Sequence, residues 1–145
     1  MKSFQFRLEK ILQLRTFDEE NAKIELGRCI GEVNKIKNIL EHIAEEKILT
    51  RKSMGLKNFQ LHDFLIAETY LKNLEAKKEE MLEALTLAEL KVEKAQSFFL
   101  EAAKKRKILS KLKEKQELAW KKEVQTQNDA ILDDIVNAKK WGIEA

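Results

Sequence analysis

The chain of 145 residues contains 28 lysines and arginines, 25 aspartates and glutamates, four glycines and no proline, and its formal net charge is +3. So few turn-forming residues exclude a compact fold of many short elements and predict long helices. One cysteine and two histidines exclude an internal disulfide and provide no metal-ligand cluster, as is typical of a protein of the reducing cytoplasm. No stretch reaches the ~20 consecutive apolar residues that span a bilayer, so we expect no membrane insertion.

The first patterned stretch is SFQFRLEKILQLR, which runs from Ser3 to Arg15. Charged residues interrupt its apolar positions at Arg7, Glu9 and Lys10, so it does not fit a secretory signal. The acidic residues at 18–20 argue against a mitochondrial presequence. We predict instead that the stretch begins a first helix over about residues 3–52.

The first predicted helix carries one apolar seam, in which spacings of four and three residues alternate as in a heptad repeat. The seam residues are Ala22, Leu26, Cys29, Val33, Ile36, Leu40 and Ile43. Continued toward the N-terminus, the same register places Arg15 and Glu19 on the seam, so its inner line becomes charged there. Cys29 is predicted to be a buried, inert thiol.

A second seam with the same alternation predicts a second helix over about residues 63–140. Its residues are Ala67, Leu71, Leu74, Lys78, Met81, Leu85, Ala88, Val92, Ala95, Phe99, Ala102, Arg106 and Leu109. Between the seams, residues 53–63 contain Gly55 and Asn58 and break the heptad pattern. We therefore predict the turn in this segment, with Asp63 as the N-cap of the second helix.

A short connection favours antiparallel neighbours. We predict an all-α fold, a long two-helix antiparallel coiled-coil hairpin that forms a single domain over residues 1–145 and has an overhanging C-terminal helix. A turn centred near residue 57 places Leu8 opposite Arg106. It also leaves about 25 to 30 C-terminal residues, among them Trp120, without an intramolecular partner.

The segment from Lys104 to Lys122 concentrates positive charge, with nine basic residues against Glu114 and Glu117. Nucleic acid, an acidic protein surface and plain exposure to solvent are the alternatives for this segment. Trp120 is its one aromatic residue, whereas proteins that bind single strands stack several aromatic rings on the bases. Nucleic acid is therefore the less favoured partner.

Catalytic signals are missing from the sequence. Adjacent carboxylates such as Asp133 and Asp134 point in different directions on a helix and have no cleft to desolvate them. No glycine-rich phosphate loop, nucleophile elbow or zinc-ligand spacing occurs. We therefore predict a protein that is not an enzyme and carries no cofactor and no metal.

The chain contains, in this order, the stretches FQFRLEKILQLR, FDEENAKIELG, KLKEKQELAWKKE and NDAILDDIVNAKK. These four stretches resemble the FliJ family, the stalk proteins of the bacterial flagellar type III export apparatus. The resemblance implies an antiparallel hairpin similar to the central shaft of rotary ATPases, seated in the ring of a hexameric export ATPase and promoting its assembly and activity. It also implies binding to the cytoplasmic domain of the export gate, binding to export chaperones, and a location at the cytoplasmic face of the inner membrane.

By the same resemblance, the paired ends of the hairpin would contact the ATPase ring and its middle would contact the gate. The ring-contact candidates are Phe6, Arg7, Leu8, Lys10, Arg15, Lys104, Lys105, Arg106, Lys111, Lys115, Ile131, Asp133 and Asp134. The gate-contact candidates, suggested by position alone, are Leu40, Ile43, Tyr70 and Leu74. Tyr70 is off the predicted seam, so it is expected to be the exposed one.

Two other functions remain open at the level of sequence. A generic cytoplasmic coiled-coil adaptor or scaffold would have the same periodicity. A basic coiled coil that binds nucleic acid would have the same charged segment, and its affinity would fall steeply with salt.

Overall fold

The structure, a computed structural model, describes residues 2–142. Two helices account for most of them: α1 spans Glu9–Met54 (46 residues) and α2 spans Leu61–Trp141 (81 residues). The helices pack against each other in antiparallel orientation, and the described residues contain no strand. The predicted all-α hairpin is confirmed. Neither helix, within its described length, has a segment apolar enough to cross a membrane.

Contacts divide the chain into two units. The terminal unit comprises Met1–Glu19 and Glu101–Ala145, and the turn unit comprises Glu20–Leu100. Each unit contains a part of α1 and a part of α2, so each has its own helix–helix interface.

The seam residues form the core of the turn unit. Cys29 is 3% exposed, and Val33, Ile43, Ala67 and Ala88 are also buried. The other seam residues of this unit are half-buried; they are Ala22, Leu26, Ile36, Leu40, Leu71, Leu74, Lys78, Met81, Leu85, Val92, Ala95 and Phe99. A two-stranded interface buries one stripe of each helix and cannot cover it completely, because no second layer exists. The predicted seam and the buried thiol are confirmed.

The turn connects the helices through residues 55–60, and α2 begins two residues before the predicted N-cap. The carboxylate of Asp63 accepts a hydrogen bond of 3.1 Å from the backbone N–H of Gln60, so Gln60 is the cap residue and Asp63 closes a capping box from the third helical position. The rings of Phe59 and Phe64 meet edge to face, with centroids 4.9 Å apart, and staple the entering chain onto α2. The prediction that Asp63 is itself the N-cap is wrong.

Ion pairs between the helices join residues that are not opposite each other in the predicted register. In the terminal unit Arg106 pairs with Glu19, whereas the predicted register places Arg106 opposite Leu8. In the turn unit Lys47 pairs with Glu75. Helical side chains lean toward the N-terminus of their own helix. In an antiparallel hairpin the α1 side chains therefore lean away from the turn and the α2 side chains lean toward it, which joins partners several residues apart.

Candidate functional site

Residues 2–8 of the terminal unit are not helical, and the last two of them form a turn, whereas the heptad pattern predicts helix from about residue 3. We call residues 2–8 the extended segment because of the burial pattern of their side chains. Its side chains alternate: Phe4 and Leu8 are half-buried, Phe6 is 7% exposed, and Gln5 and Arg7 are exposed. This is the period of two expected of an extended chain lying on an apolar surface. A helix would separate Phe4 and Phe6 by about 200° and bury only one of them.

Phe4 lies against Trp120 of α2, with ring centroids 5.9 Å apart and planes tilted by 47°. Lys2 lines a groove of about 360 Å³ with Trp120, Val124 and Ile131. The prediction that Trp120 has no intramolecular partner is therefore wrong. The N-terminal segment covers part of the helix that would otherwise overhang.

The extended segment ends in a turn that leads into α1. The backbone N–H of Glu9 donates to the carbonyl of Phe6 at 3.1 Å, and the Glu9 carboxylate oxygen Oε2 lies 2.9 Å from Lys113 Nζ on α2. That oxygen is shielded from solvent and accepts no well-aligned hydrogen bond from the described residues, so charge attraction holds the pair. A carboxylate in the first helical turn also interacts favourably with the helix dipole.

Three ring-contact candidates lie together at this turn. Phe6, Arg7 and Lys10 line one groove of about 430 Å³, whose wall on α2 is Lys113. Arg7 and Lys10 are both exposed at its rim. The groove therefore combines an apolar floor with a positive edge, a combination suited to an acidic partner.

Two other candidate arginines are engaged within the protein. Arg106 is half-buried in its ion pair with Glu19 and also donates to Ser110 Oγ at 3.3 Å. Arg15 is half-buried and lies 3.9 Å from Asp18. The charged seam positions thus pair with carboxylates, and these two arginines are less available to a partner than Arg7.

The basic segment of α2 presents an outward stripe in which positive and apolar side chains are interleaved. We define this outer stripe as Lys104, Ile108, Lys111, Lys115, Leu118 and Lys122, whose spacings alternate between four and three. All six residues are exposed, and Ile108 and Leu118 are 67% and 61% exposed. The four lysines, and the neighbouring candidate Lys105, form no ion pair with the described residues. The stripe can therefore offer both charge and apolar contact to another protein.

The side chains at the end of α2 are exposed to solvent. Every residue from 129 to 142 is exposed, including the candidates Ile131, Asp133 and Asp134. Exposed apolar residues continue to the end of the helix at Ile135, Val136 and Trp141. A helix that leaves so much apolar surface in water is typical of a partner-binding segment.

The gate-contact candidates lie in the turn unit and differ in their exposure to solvent. Ile43 is buried, and Leu40 and Leu74 are half-buried in the seam. Tyr70 is 40% exposed and lies in a shallow groove formed by one face of α2. The other residues of that groove are His62, Leu65, Ile66, Thr69 and Asn73.

Tyr70 is fixed by a hydrogen bond across the hairpin. Its hydroxyl donates to Glu46 Oε2 at 3.0 Å. This hydrogen bond to a carboxylate raises the pKa of Tyr70 above its ordinary value, with smaller contributions from burial and from the negative charge of Glu46. The phenol is therefore positioned and protonated at neutral pH, so its ring is the part of Tyr70 available to a partner.

The structure places all ring-contact candidates in the terminal unit and all gate-contact candidates in the turn unit. Sequence reasoning missed the extended segment and the apolar members of the outer stripe. Both had a signal: Phe4, Phe6 and Leu8 alternate with polar residues, and Ile108 and Leu118 continue the spacing of the lysines. A heptad search directed at the seam passes over both patterns.

The family model for the FliJ family, described as the flagellar FliJ protein, matches residues 4–141. No curated protein and no solved structure matches the chain. The matched range runs from Phe4, beside Trp120, to the last residue of α2. Because this match covers nearly the whole length, the chain belongs to the FliJ family and is a component of the flagellar protein export apparatus.

Proposed function

We propose that this protein is a non-enzymatic stalk that binds the hexameric flagellar export ATPase through its terminal unit and links the ATPase to the export gate. In this role it promotes assembly of the ring and hydrolysis of ATP. It also binds export chaperones, and the export apparatus holds it at the cytoplasmic face of the inner membrane.

The outer stripe is the observation that carries the proposal. Its four lysines are exposed and unpaired among the described residues, and Ile108 and Leu118 stand between them. Charges at such a surface steer association, and apolar side chains beside them supply contact area. The groove at Arg7 and Lys10 adds a second positive edge in the same unit.

A stalk carries different side chains on its different faces, so it makes different contacts with the subunits of a ring. The terminal unit presents lysines along α2, and at the start of α1 it presents the exposed Arg7 and Lys10 beside their groove. The subunits of a symmetric ring would meet different parts of this surface, so the stalk would favour different nucleotide states in different subunits. Such differential contact would let a protein without catalytic groups raise the rate of ATP hydrolysis by the ATPase.

For the gate, the proposal rests on the groove around Tyr70. Leu65 and Ile66 are exposed beside it, and the hydrogen bond to Glu46 holds the Tyr70 ring in place. A positioned aromatic ring among exposed aliphatic residues is a typical anchor of a protein interface. Leu40, Ile43 and Leu74 would support this surface from the seam rather than touch the gate.

The test is ATP hydrolysis by the purified export ATPase with and without this protein. Wild-type protein should raise the rate, and the triple variant Arg7→Glu, Lys111→Glu and Lys115→Glu should lose most of this effect because it reverses the exposed charges. The control carries the same change of charge in the turn unit, at the exposed Lys35, Lys37 and Lys72. It should stimulate like the wild type.

Two results would contradict the proposal. One is the absence of any stimulation by the wild-type protein. The other is an equal loss in the control variant, which would show that net charge and not the terminal surface matters. Strong, salt-sensitive binding of nucleic acid by the terminal lysines, without effect on the ATPase, would favour the alternative function.

A further inference from the structure

A groove lies between the two helices of the turn unit, at the end of the unit that is far from the turn. Its volume is about 490 Å³. We call it the Cys29 groove and define it by its lining residues, Ala22, Glu25, Arg28, Cys29, Lys91, Lys94, Ala95 and Phe98. None of these residues is among the ring-contact or gate-contact candidates.

The groove exists because the seam is built here from small side chains. Cys29 is 3% exposed and forms the floor, while Ala22 and Ala95 are half-buried. Leucine at such positions would fill the space between the helices, as it does in a well-packed coiled coil. The small residues leave an apolar depression that can accept a side chain from outside.

One wall of the groove carries an apolar side chain that is largely exposed to solvent. Phe98 is 76% exposed although it stands at the interface between the helices. Leu87 is 63% exposed and lies 11 residues earlier, which is close to three full helical turns, so it extends the same face of α2. An aromatic and a leucine side chain exposed on one face are typical of a contact surface.

The charge of the groove is positive. Lys91 and Lys94 lie between Leu87 and Phe98 and form no ion pair with the described residues. On the opposite wall the charge of Arg28 is neutralised, since two guanidinium nitrogens donate to the Glu25 carboxylate at 3.0 and 2.6 Å and the third donates to Glu32 at 2.7 Å. This pairing lowers the pKa of Glu25, which therefore stays ionised and bound to the arginine. The two lysines are left as the net charge.

We propose that the Cys29 groove binds an acidic amphipathic helix of a partner protein, which inserts an apolar side chain above Cys29 and places its carboxylates beside Lys91 and Lys94. The inserted apolar side chain provides contact area, and Lys91 and Lys94 favour a partner that carries negative charge. Binding at this groove requires neither the ATPase nor the gate.

The test uses the full chain and two synthetic helical peptides. One peptide carries leucines at helical spacing with glutamates elsewhere, and its twin has lysine in place of each glutamate. Fluorescence anisotropy of the labelled peptides should show binding of the acidic peptide and at least about tenfold weaker binding of the basic one. Because Cys29 is the one cysteine of the chain, the acidic peptide should also slow the reaction of its thiol with an uncharged maleimide.

Three variants locate the binding. Phe98→Ala removes an exposed ring and should weaken the acidic peptide about tenfold while leaving the helical circular dichroism unchanged. The double variant Lys91→Glu and Lys94→Glu should weaken it by a similar factor. The matched control, Lys72→Glu and Lys77→Glu, changes two exposed lysines of α2 outside the groove. It should bind like the wild type.

Several outcomes would overturn the proposal. They are no binding of the acidic peptide, equal binding of both peptides, and an equal loss in the control. Self-association of the wild-type chain that Phe98→Ala abolishes would also overturn it, because the occupant would then be a second copy.

Discussion

Replacing Phe6 with alanine should release the N-terminal segment from α2 without unfolding the hairpin. Phe6 is 7% exposed, and Phe4 and Leu8 on either side of it are only half-buried. Most of the attachment of residues 2–8 therefore depends on one ring. The turn unit is held by its own buried seam residues, so the loss should remain local.

The magnitude follows from the area that Phe6 removes from water. Full burial of a phenylalanine side chain stabilises a protein by about 1.5–3 kcal/mol, and no cavity forms if the segment simply detaches. A loss of about 2 kcal/mol raises the population of the detached state about 30-fold. The free energy of unfolding of the whole hairpin should change by no more than this amount.

Amide hydrogen exchange measures this population. The N–H of Glu9 bonds to the carbonyl of Phe6 at 3.1 Å, so its exchange reports opening of the turn that joins the segment to α1. Its exchange should accelerate about 30-fold in Phe6→Ala. Gln5→Ala changes an exposed residue of the same segment and serves as the control. Unchanged exchange in Phe6→Ala, or equal acceleration in the control, would refute the attachment by Phe6.

Two further predictions concern titration in the turn unit. Tyr70 is the one tyrosine of the chain, so tyrosinate absorbance should report it alone, with a midpoint above the ordinary value because of Glu46, and Glu46→Gln should lower that midpoint. Because its folded pKa is raised, the contribution of Tyr70 to stability is present at neutral pH and is lost as the pH rises through that pKa; an unshifted midpoint would contradict the bond. The hydrogen bond from Lys47 lowers the pKa of Glu75, so its contribution is present above the ordinary carboxyl range and disappears as the pH falls through the folded pKa. Thermal unfolding of Glu75→Gln should therefore show a shallower loss of stability in acid than the wild type, and identical acid profiles would contradict the pair.

Much of the fold could be predicted from the sequence because heptad spacing directly encodes which face of a helix is buried. Cys29, Val33 and Ile43 lie on the predicted seam and are buried in the structure. The helices are connected through residues 55–60, inside the segment that breaks the heptad pattern, but the cap residue is Gln60 and not Asp63. Gln60 is a weak capping residue, so its role depends on the carboxylate of Asp63 and the ring of Phe59, which local propensity does not reveal.

The extended segment could not be predicted from helical periodicity. Residues 2–8 follow the register of α1 well enough to be read as helix, but the burial of both Phe4 and Phe6 favours an extended chain on α2. The position of the turn likewise does not predict that Arg106 pairs with Glu19, because long side chains lean along the helices and pair with residues that are not directly opposite. At the candidate site, the lysines were visible in the sequence, whereas their freedom from ion pairs was not.

Site-specific photo-crosslinking to the purified export ATPase tests the central claim most directly. A benzophenone amino acid placed at Lys115 or at Ile131 lies on an exposed surface of the terminal unit, and one placed at Lys77 lies on an exposed surface of the turn unit. The terminal unit binds the ring in our account, so Lys115 and Ile131 should form crosslinked products with the ATPase and Lys77 should not. Crosslinks from Lys77 alone, or none from either terminal position, would contradict it.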